Sequence, residues 1–314
     1  MRERVTPRCC KFVAALLNAA VEFRLLGPLE VVEDGRSLPL GSRKQRALLA
    51  LFLLHADEAL PRDRLIEELW QGSPPPAADA TLRSYLSRLR STLGAGRLQT
   101  RTTGYALALR SEELDVARFA RLVAEGRGAL ATGLPEEAAE KLREALRLWR
   151  GPPLADFSYE SFAQGEIARL DELRLVALEA RVDAELALGL HTSLVGELEQ
   201  LVADHPLREH LRGQLMLALY RSGRQADALE RYQEARRLLT EELGLDPSEA
   251  LKDLQRAILA HDSSLERTVP LEHHANATTE ALGGSPGPFV GRAAELRDLL
   301  QGLDEALAGE GSST

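Results

Sequence analysis

Two glycines, Gly189 and Gly223, mark a repeat in the second half of the sequence. The apolar positions that follow these glycines agree in register; they are Leu194 with Ala228, Leu198 with Tyr232, and Leu201 with Ala235. An earlier copy of the repeat follows Gly133, and the interval from Gly133 to Gly189 is longer than that from Gly189 to Gly223. Its matching positions are Ala138, Leu142 and Ala145. The additional residues of this longer interval fall around RGPPLADFSYESF, where we expect an inserted turn or a short helix.

The interval between Gly189 and Gly223, about 34 residues, is the period of tetratricopeptide helix pairs. From Ser111 to Asp262 the sequence is rich in Ala, Leu, Glu and Arg, with helical periodicity throughout. Because such pairs bury their apolar faces only by stacking on one another, they leave a groove for a partner segment. Residues 111–262 are therefore predicted to form an all-α, tetratricopeptide-like repeat domain.

The preceding residues, 21–110, have a different pattern. Two apolar runs flank Asp34-Gly35, a strong signal for a two-residue hairpin. Ser42 and Gln45 have the spacing of a capping box, at the start of the first of three amphipathic helices. The third helix is expected from about Ala78 to Leu93, and the segment RLQTRTTGYALAL predicts a closing strand pair. This order of two strands, three helices and a hairpin predicts a winged helix-turn-helix. Together with the helical repeats of residues 111–262, it predicts a chain that is mainly α.

The third helix has two distinct faces. Its leucines step by four, three and four residues and form one apolar stripe: Leu82, Leu86, Leu89 and Leu93. The opposite face is polar and carries Thr81, Ser84, Ser87, Arg88 and Ser91. Small hydroxyl side chains let a helix backbone approach the floor of a DNA major groove. An arginine among them has the geometry to bind guanine O6 and N7. We therefore predict base contacts from Thr81, Ser84, Ser87 and Arg88.

Other basic and hydroxyl side chains are candidates for phosphate contacts, which position a protein without reading sequence. Arg83 and Arg90 lie on the flank of the third helix, two helical turns apart. The remaining candidates lie at the start of the first helix and in the hairpin: Arg43, Lys44, Arg101, Thr102 and Thr103.

Charge is unevenly distributed along this chain of net charge −9. Residues 21–110 carry 13 Lys and Arg against 10 Asp and Glu, whereas residues 111–262 carry 19 against 29. Within 77–110 there are six arginines and one aspartate, the local basic patch expected of a nucleic-acid-binding surface. The alternative is a solvated polar face on an ordinary helix. We favour DNA because serine is a poor helix former for such a surface, and no acidic residue lies between Thr81 and Leu93.

These segments resemble the Streptomyces antibiotic regulatory protein family of actinomycete transcription factors. The resemblance covers about Glu22 to Asp262 and rests on motifs in order, among them FRLLGPLEV, GSRKQRALLALFLLHA, LIEELWQGSPPPAADATLRSYLSRLRSTLG, TTGYAL, ALRLWRGPPLAD and HPLREHLRGQLMLALYRSGRQADALERYQEARRLLTEELGLDPSEAL. It implies an OmpR-type winged helix, of the kind used as a phosphorelay effector domain, followed by a bacterial transcriptional activation domain.

The resemblance also implies a function. Family members are activators of antibiotic and other secondary-metabolite genes. They bind direct repeats in double-stranded promoter DNA and contact RNA polymerase holoenzyme. In OmpR-type domains the third helix enters the major groove, and the hairpin contacts the neighbouring minor groove. Two copies side by side, a dimer on DNA, are the expected arrangement.

The two ends of the chain carry separate predictions. Residues 1–20 have the look of a short signal peptide, but we interpret them as an upstream extension, with Val21 marking a GTG start codon. Residues 263–287 are predicted to be a linker. In 288–314, PFVGRAAEL resembles the entry to the nucleoside-triphosphatase domain of larger family members. No lysine follows a glycine, so the phosphate-binding loop is absent from these residues and we expect no nucleotide or other cofactor. A fragment of a larger regulator and a naturally shortened form both remain open.

Other patterns are set aside. GGSPG at 283–287 matches a nucleophile-elbow motif but lies in the linker, so no enzyme site is predicted. His205 with His210, and His273 with His274, lack further ligands at suitable spacing, so no metal site is predicted. The absence of an apolar run long enough to span a bilayer predicts a cytoplasmic protein without membrane contact. Two alternatives to a DNA-binding activator remain: an interaction scaffold of helical repeats, and the front end of an ATP-dependent switch.

Overall fold

The computed structural model describes residues 21–266 except positions 57 and 95. It begins with a three-stranded antiparallel sheet in the order β1 (Val21–Arg24), β2 (Glu30–Glu33) and β3 (Arg36–Ser37). The predicted hairpin joins β2 to β3, and Asp34 and Gly35 take positive φ values of 49° and 79°. The expectation of two strands is wrong, because the loop at Gly27-Pro28 divides the first apolar run into β1 and β2. The predicted extension 1–20, and everything from 267 onward, lie outside the described residues.

Three helices and a second hairpin follow. They are α1 (Arg43–Leu54), α2 (Arg62–Trp70), α3 (Ala78–Leu93), β4 (Leu98–Arg101) and β5 (Gly104–Leu107). At the start of α1, the Ser42 amide donates to Gln45 Oε1 at 2.8 Å, as the capping-box spacing predicted. The β4–β5 hairpin, hereafter the wing, gains a third backbone partner where the Leu60 and Tyr105 amides and carbonyls pair, at 2.8 and 3.0 Å. This arrangement is the predicted winged helix-turn-helix.

The remaining described residues form helical pairs. The first pair is α4 (Asp115–Ala131) with α5 (Pro135–Leu146), and the second is α6 (Ser161–Ala187) with α7 (His191–Asp204). The third pair is α8 (Glu209–Arg221) with α9 (Gln225–Leu238), after which a π-helical turn (Leu239–Leu243) leads to α10 (Glu249–Leu259). The repeat glycines lie at the turns within the pairs and have positive φ: Gly133 at 75°, Gly189 at 79° and Gly223 at 77°. A side chain is disfavoured in that conformation, which explains why glycine recurs at this position. The predicted helical repeats are confirmed.

The additional residues between Gly133 and Gly189 lie in two places. A loop at 147–160 contains a 3₁₀ turn (Ala155–Phe157), in the place where a turn or short helix was expected. The helix that follows is also longer, since α6 has 27 residues and its counterpart α8 has 13. No helix among the described residues combines the length and apolar character needed to cross a membrane.

One hydrophobic core runs through the winged helix and the first helical pair. Phe23 of β1 and Phe52 of α1 belong to the same buried cluster as Phe119 of α4 and Phe157 of the 147–160 loop. A second cluster fills the space between α6 and α10. Helix α6 joins the two, because Leu170 and Ala177 contribute to the first cluster and the opposite face contributes to the second. The predicted boundary after residue 110 therefore does not divide the core, and the domain bounds stay a prediction.

Candidate nucleic-acid interface

Helix α3 is held in place by its leucine stripe. Leu82, Leu86 and Leu89 are at most 2% exposed and Leu93 is 8% exposed, all within the first hydrophobic cluster. The helix packs against α1, α2 and β4. Burying each leucine side chain contributes on the order of 1.5–3 kcal/mol, so rotation of α3 about its axis would be strongly unfavourable. The stripe thus fixes which residues of α3 face outward.

The opposite side of α3 is exposed, as predicted from the spacing. Ser84, Ser87, Arg88 and Ser91 are exposed, and Thr81 is half-buried at the start of the helix. Two of the hydroxyls are bonded within the helix, since Thr81 Oγ1 donates to Ala77 O at 3.0 Å and Ser91 Oγ to Ser87 O at 3.2 Å. These residues form what we call the polar face of α3.

Arg88 differs from most of the arginines that the structure describes. Across the part of the chain that the structure describes, its guanidinium makes no salt bridge and no hydrogen bond. Elsewhere arginines are commonly paired with carboxylates, as in Arg97 with Glu113. An exposed, unpaired guanidinium beside small hydroxyls retains all of its donors for an external acceptor.

The two flanking arginines have different surroundings. Arg83 is exposed, and its Nε donates to Asp79 O in the preceding turn at 3.3 Å. Arg90 instead binds the wing: its Nε donates to Leu98 O at 3.1 Å and its Nη2 to Thr100 Oγ1 at 2.8 Å. Its guanidinium also lies 5.9 Å from the Tyr105 ring centroid. Arg90 therefore positions the wing relative to α3, a role that the sequence pattern did not indicate.

The wing presents its turn to solvent. Arg101, Thr102 and Thr103 are all exposed at this turn. Gly104 follows with φ of 154°, and a Cβ there would lie 2.0 Å from Leu60 O. Glycine is required at this position because the wing backbone approaches the Leu60 backbone so closely. The wing is thus fixed at both strands, through Arg90 on β4 and Leu60 on β5.

Arg43 and Lys44, the other predicted phosphate contacts, bind groups of the protein. Lys44 Nζ donates to Leu69 O in the last turn of α2, a favourable position for a cation near a helix C-terminus. Arg43 Nη2 donates to Glu160 Oε1 at 2.9 Å, although the Arg43 side chain is 64% exposed. Both side chains therefore have structural partners, and their role in DNA contact stays a prediction.

Three carboxylates of the helical part hold the winged helix. Asp115 accepts hydrogen bonds from the amides of Leu25 and Leu26 at 2.9 and 3.0 Å. Burial raises the pKa of Asp115 above its ordinary value, although these amides act in the opposite direction. Asp156 Oδ2 accepts from the Leu29 amide at 2.7 Å and from Arg46 at 2.5 Å.

The third carboxylate is Glu160, whose side chain is 9% exposed. Its two oxygens accept from Arg43 at the start of α1 and from Gln71 Nε2, just after α2, at 2.7 Å. Both helices that support α3 are therefore tied to the loop before α6. Sequence reasoning did not find these contacts, because no local pattern links residues so far apart along the chain.

A bidentate ion pair joins the base of the wing to the residues before α4. Arg97 donates to both carboxylate oxygens of Glu113, at 2.8 and 3.0 Å. Burial alone would raise the pKa of Glu113, but Arg97 and the Arg110 amide lower it below its ordinary value. The carboxylate is thus stabilised in its charged form.

The histidines do not form a metal site among the described residues. No group of three or more His, Cys, Asp or Glu side chains there is suited to hold a metal ion. His205 is exposed, whereas His210 Nε2 lies 3.0 Å from Asp183 Oδ2 across the α6–α8 contact. The motif GGSPG and the pair His273 and His274 lie outside the described residues.

Comparisons with known proteins identify similar regions and relatives. Residues 35–107 match the family model "Transcriptional regulatory protein, C terminal", and residues 114–259 match "Bacterial transcriptional activator domain". The chain is 39% identical to the regulatory protein DnrI of Streptomyces peucetius over 261 residues, which are 80% of this chain and 96% of DnrI. It is 43% identical to the regulatory protein AfsR of Streptomyces coelicolor over 300 residues, 94% of this chain.

The chain spans about 30% of the length of AfsR. Among solved structures, it is similar to Mycobacterium tuberculosis EmbR in complex with a low-affinity phosphopeptide, with a TM-score of 0.74 and 36% identity. That similarity covers 81% of this chain and 67% of the EmbR chain.

Proposed function

The chain belongs to the Streptomyces antibiotic regulatory protein family of transcription regulators, and from this premise we propose that it is a sequence-specific activator that reads promoter DNA with the polar face of α3. The observation that carries the proposal is the unpaired, exposed guanidinium of Arg88, set among small hydroxyls on a helix whose opposite face is buried. This combination suits entry of α3 into a major groove.

The mechanism divides the residues between reading and positioning. Thr81, Ser84, Ser87 and Arg88 contact base edges, with Arg88 forked onto a guanine. Arg83 contacts a phosphate on the flank of α3. In the same complex, the turn of the wing, from Arg101 to Thr103, reaches the neighbouring phosphates or minor groove. Arg90 acts chiefly through the wing that it holds.

The helical part is proposed to contact RNA polymerase holoenzyme. Residues 111–262 carry 19 basic against 29 acidic side chains, so this part is repelled by DNA and suits a protein partner. The resemblance to the family supports two copies bound side by side on direct repeats upstream of antibiotic or other secondary-metabolite genes.

The test compares Arg88→Ala with Arg127→Ala, a matched control on α4. Arg127 is exposed and, within the described residues, has no hydrogen bond or salt bridge. Fluorescence anisotropy with a cognate promoter fragment and a scrambled duplex measures the specificity ratio of each variant. The Arg88 variant is expected to lose about 5- to 150-fold in this ratio, since a bidentate base contact contributes about 1–3 kcal/mol. The Arg127 variant should retain the ratio of the wild type.

A salt titration separates base contacts from phosphate contacts. Arg83→Ala should weaken binding to both duplexes alike and reduce the slope of log affinity against log salt by about one. If Arg88→Ala and Arg83→Ala both bind like the wild type, the assignment of α3 is refuted. Absence of any salt-dependent DNA binding by the wild type would favour the interaction scaffold instead.

A further inference from the structure

Two clefts occupy equivalent positions between successive helical pairs. Cleft one lies among α5, α6 and α7 and has a volume of about 400 Å³; cleft two lies among α7, α8 and α9 and has about 540 Å³. Their linings correspond under the repeat offsets, in the pairs Leu146 with Val202, Leu178 with Arg212, and Glu197 with Arg231. The repeat therefore preserves the cleft while changing the charged side chains in it.

Cleft one satisfies its buried arginine with its own carboxylates. The Arg181 side chain is 11% exposed and donates to Glu185 Oε2 at 2.7 Å and to Glu197 Oε1 at 2.5 Å. The other oxygen of Glu185 accepts from Arg143 Nε at 2.7 Å. Internal ion pairs thus occupy the donors of this guanidinium, and cleft one has no need of an external anion.

In cleft two, the buried Arg212 makes no direct ion pair with a carboxylate of the described residues. Arg212 is 7% exposed, and its Nε donates to Pro206 O at 2.7 Å. Among the described residues, its two terminal amino groups make no hydrogen bond and no salt bridge. Buried guanidinium groups are almost always paired, because removing an uncompensated charge from water is costly. Burial lowers the pKa of Arg212, and the charge of Arg231 adds to this effect, although Glu234 and Glu209 act in the opposite direction.

A second guanidinium faces the same cleft. Arg231 stands at the position where cleft one has the carboxylate of Glu197. Its Nη1 donates to Glu234 at 2.8 Å, but its Nε is buried and has no hydrogen-bond partner within the described part of the chain. The lining of the cleft also includes the apolar side chains of Val202, Leu215 and Leu238, together with the carboxylates of Glu199 and Glu234.

We propose that cleft two binds a small organic anion, with a phosphate-monoester or carboxylate group on Arg212 and Arg231 and an apolar body on Val202, Leu215 and Leu238. Guanidinium groups form paired hydrogen bonds with both kinds of head group. A volume of about 540 Å³ lies in the range of small-molecule sites, roughly 300–1,000 Å³. The site lies apart from α3 and the wing, so its test is independent of DNA binding.

Three probes with one aromatic body test the proposal on the full chain: phenyl phosphate, benzoate and the neutral benzyl alcohol. Isothermal titration calorimetry at physiological chloride concentration measures binding to the wild type, to Arg212→Met and to Arg231→Met. Arg147→Met, which alters an arginine that lines cleft one, is the matched control. Circular dichroism checks that each variant is folded. If Arg212→Met does not fold, Arg231→Met still tests the proposal.

We expect saturable one-site binding of at least one anion to the wild type and to the Arg147 variant. Benzyl alcohol should bind to the wild type at least tenfold more weakly than this anion, because it has no charge to pair with a guanidinium group. The anion should in turn bind at least tenfold more weakly to Arg212→Met and to Arg231→Met, because each variant lacks one charge-assisted contact. Preference for phenyl phosphate would identify a phosphate ligand, and preference for benzoate a carboxylate ligand. The proposal is overturned if neither anion binds saturably, if benzyl alcohol binds equally well, or if the folded cleft-two variants bind like the wild type.

Discussion

Replacing Gly104 by alanine would place a side chain where the backbone of Leu60 already lies. The added Cβ would be 2.0 Å from Leu60 O and 2.5 Å from Leu60 C, well inside contact distance. Backbone atoms have no alternative rotamer, so the wing must move away from Leu60. It would then lose the two backbone hydrogen bonds between Leu60 and Tyr105, now 2.8 and 3.0 Å long.

The expected cost follows from these losses. Two backbone hydrogen bonds contribute about 1–3 kcal/mol together, and a positive φ costs a residue with a Cβ about 1–2 kcal/mol more. Gly104→Ala should therefore lower the free energy of unfolding by about 2–5 kcal/mol. Gly72→Ala is the matched control, because Gly72 has φ of +76° but no atom within 4 Å of its added Cβ. Gly72→Ala should lower the free energy of unfolding only by the cost of the positive φ, about 1–2 kcal/mol.

Urea denaturation followed by circular dichroism measures both variants, and anisotropy with promoter DNA reports on the wing. The Gly104 variant should bind DNA more weakly under conditions where it remains folded, whereas the Gly72 variant should bind normally. If the two alanine variants have equal stability and equal DNA affinity, the close approach of the wing to Leu60 does not stabilise the interface.

Two further predictions concern pH. The pKa of Glu113 is lowered in the folded state, so its ion pair with Arg97 stabilises the fold above the ordinary carboxylate pKa, and this contribution is lost as pH falls through the lowered value. Urea titrations between pH 7 and pH 3 should show a smaller acid-induced loss of stability for Glu113→Gln than for the wild type; equal losses would contradict the assignment. For His210, burial opposes protonation, but the hydrogen bond to Asp183 prevails and raises the pKa. Its stabilising contribution is therefore fully present below the ordinary histidine value and declines as pH rises through the raised one. An NMR titration of the His210 ring should give a midpoint above the ordinary histidine value, and a midpoint below that value would refute the pairing.

Local periodicity was sufficient to predict much of this fold. The spacing of Leu82, Leu86, Leu89 and Leu93 predicted both the extent of α3 and its buried side, because a helix repeats about every 3.6 residues. The glycines at 133, 189 and 223 predicted the turns of the helical pairs, because only glycine adopts positive φ there without strain.

Contacts between distant residues could not be predicted in the same way. Asp115, Asp156 and Glu160 bind groups 89 to 127 positions away along the chain, and nothing in their own surroundings indicates those partners. The sequence showed that Arg90 lies on the flank of α3 but not that the wing would fold back within reach of it. The residues proposed for DNA contact remain a prediction, because their exposure alone does not show what they bind.

The shared core has a mechanical consequence. The winged helix and the helical part pack through the same buried phenylalanines, so they cannot rotate independently as two domains joined by a flexible linker would. For a chain bound to DNA through α3, the direction in which its helical part points is then set by the rotational position of the operator on the duplex. Inserting about five base pairs between operator and promoter turns the bound protein to the far side of the duplex. Inserting about ten base pairs returns it to the original side, so transcriptional activation should vary with the inserted length at the period of one DNA helical turn.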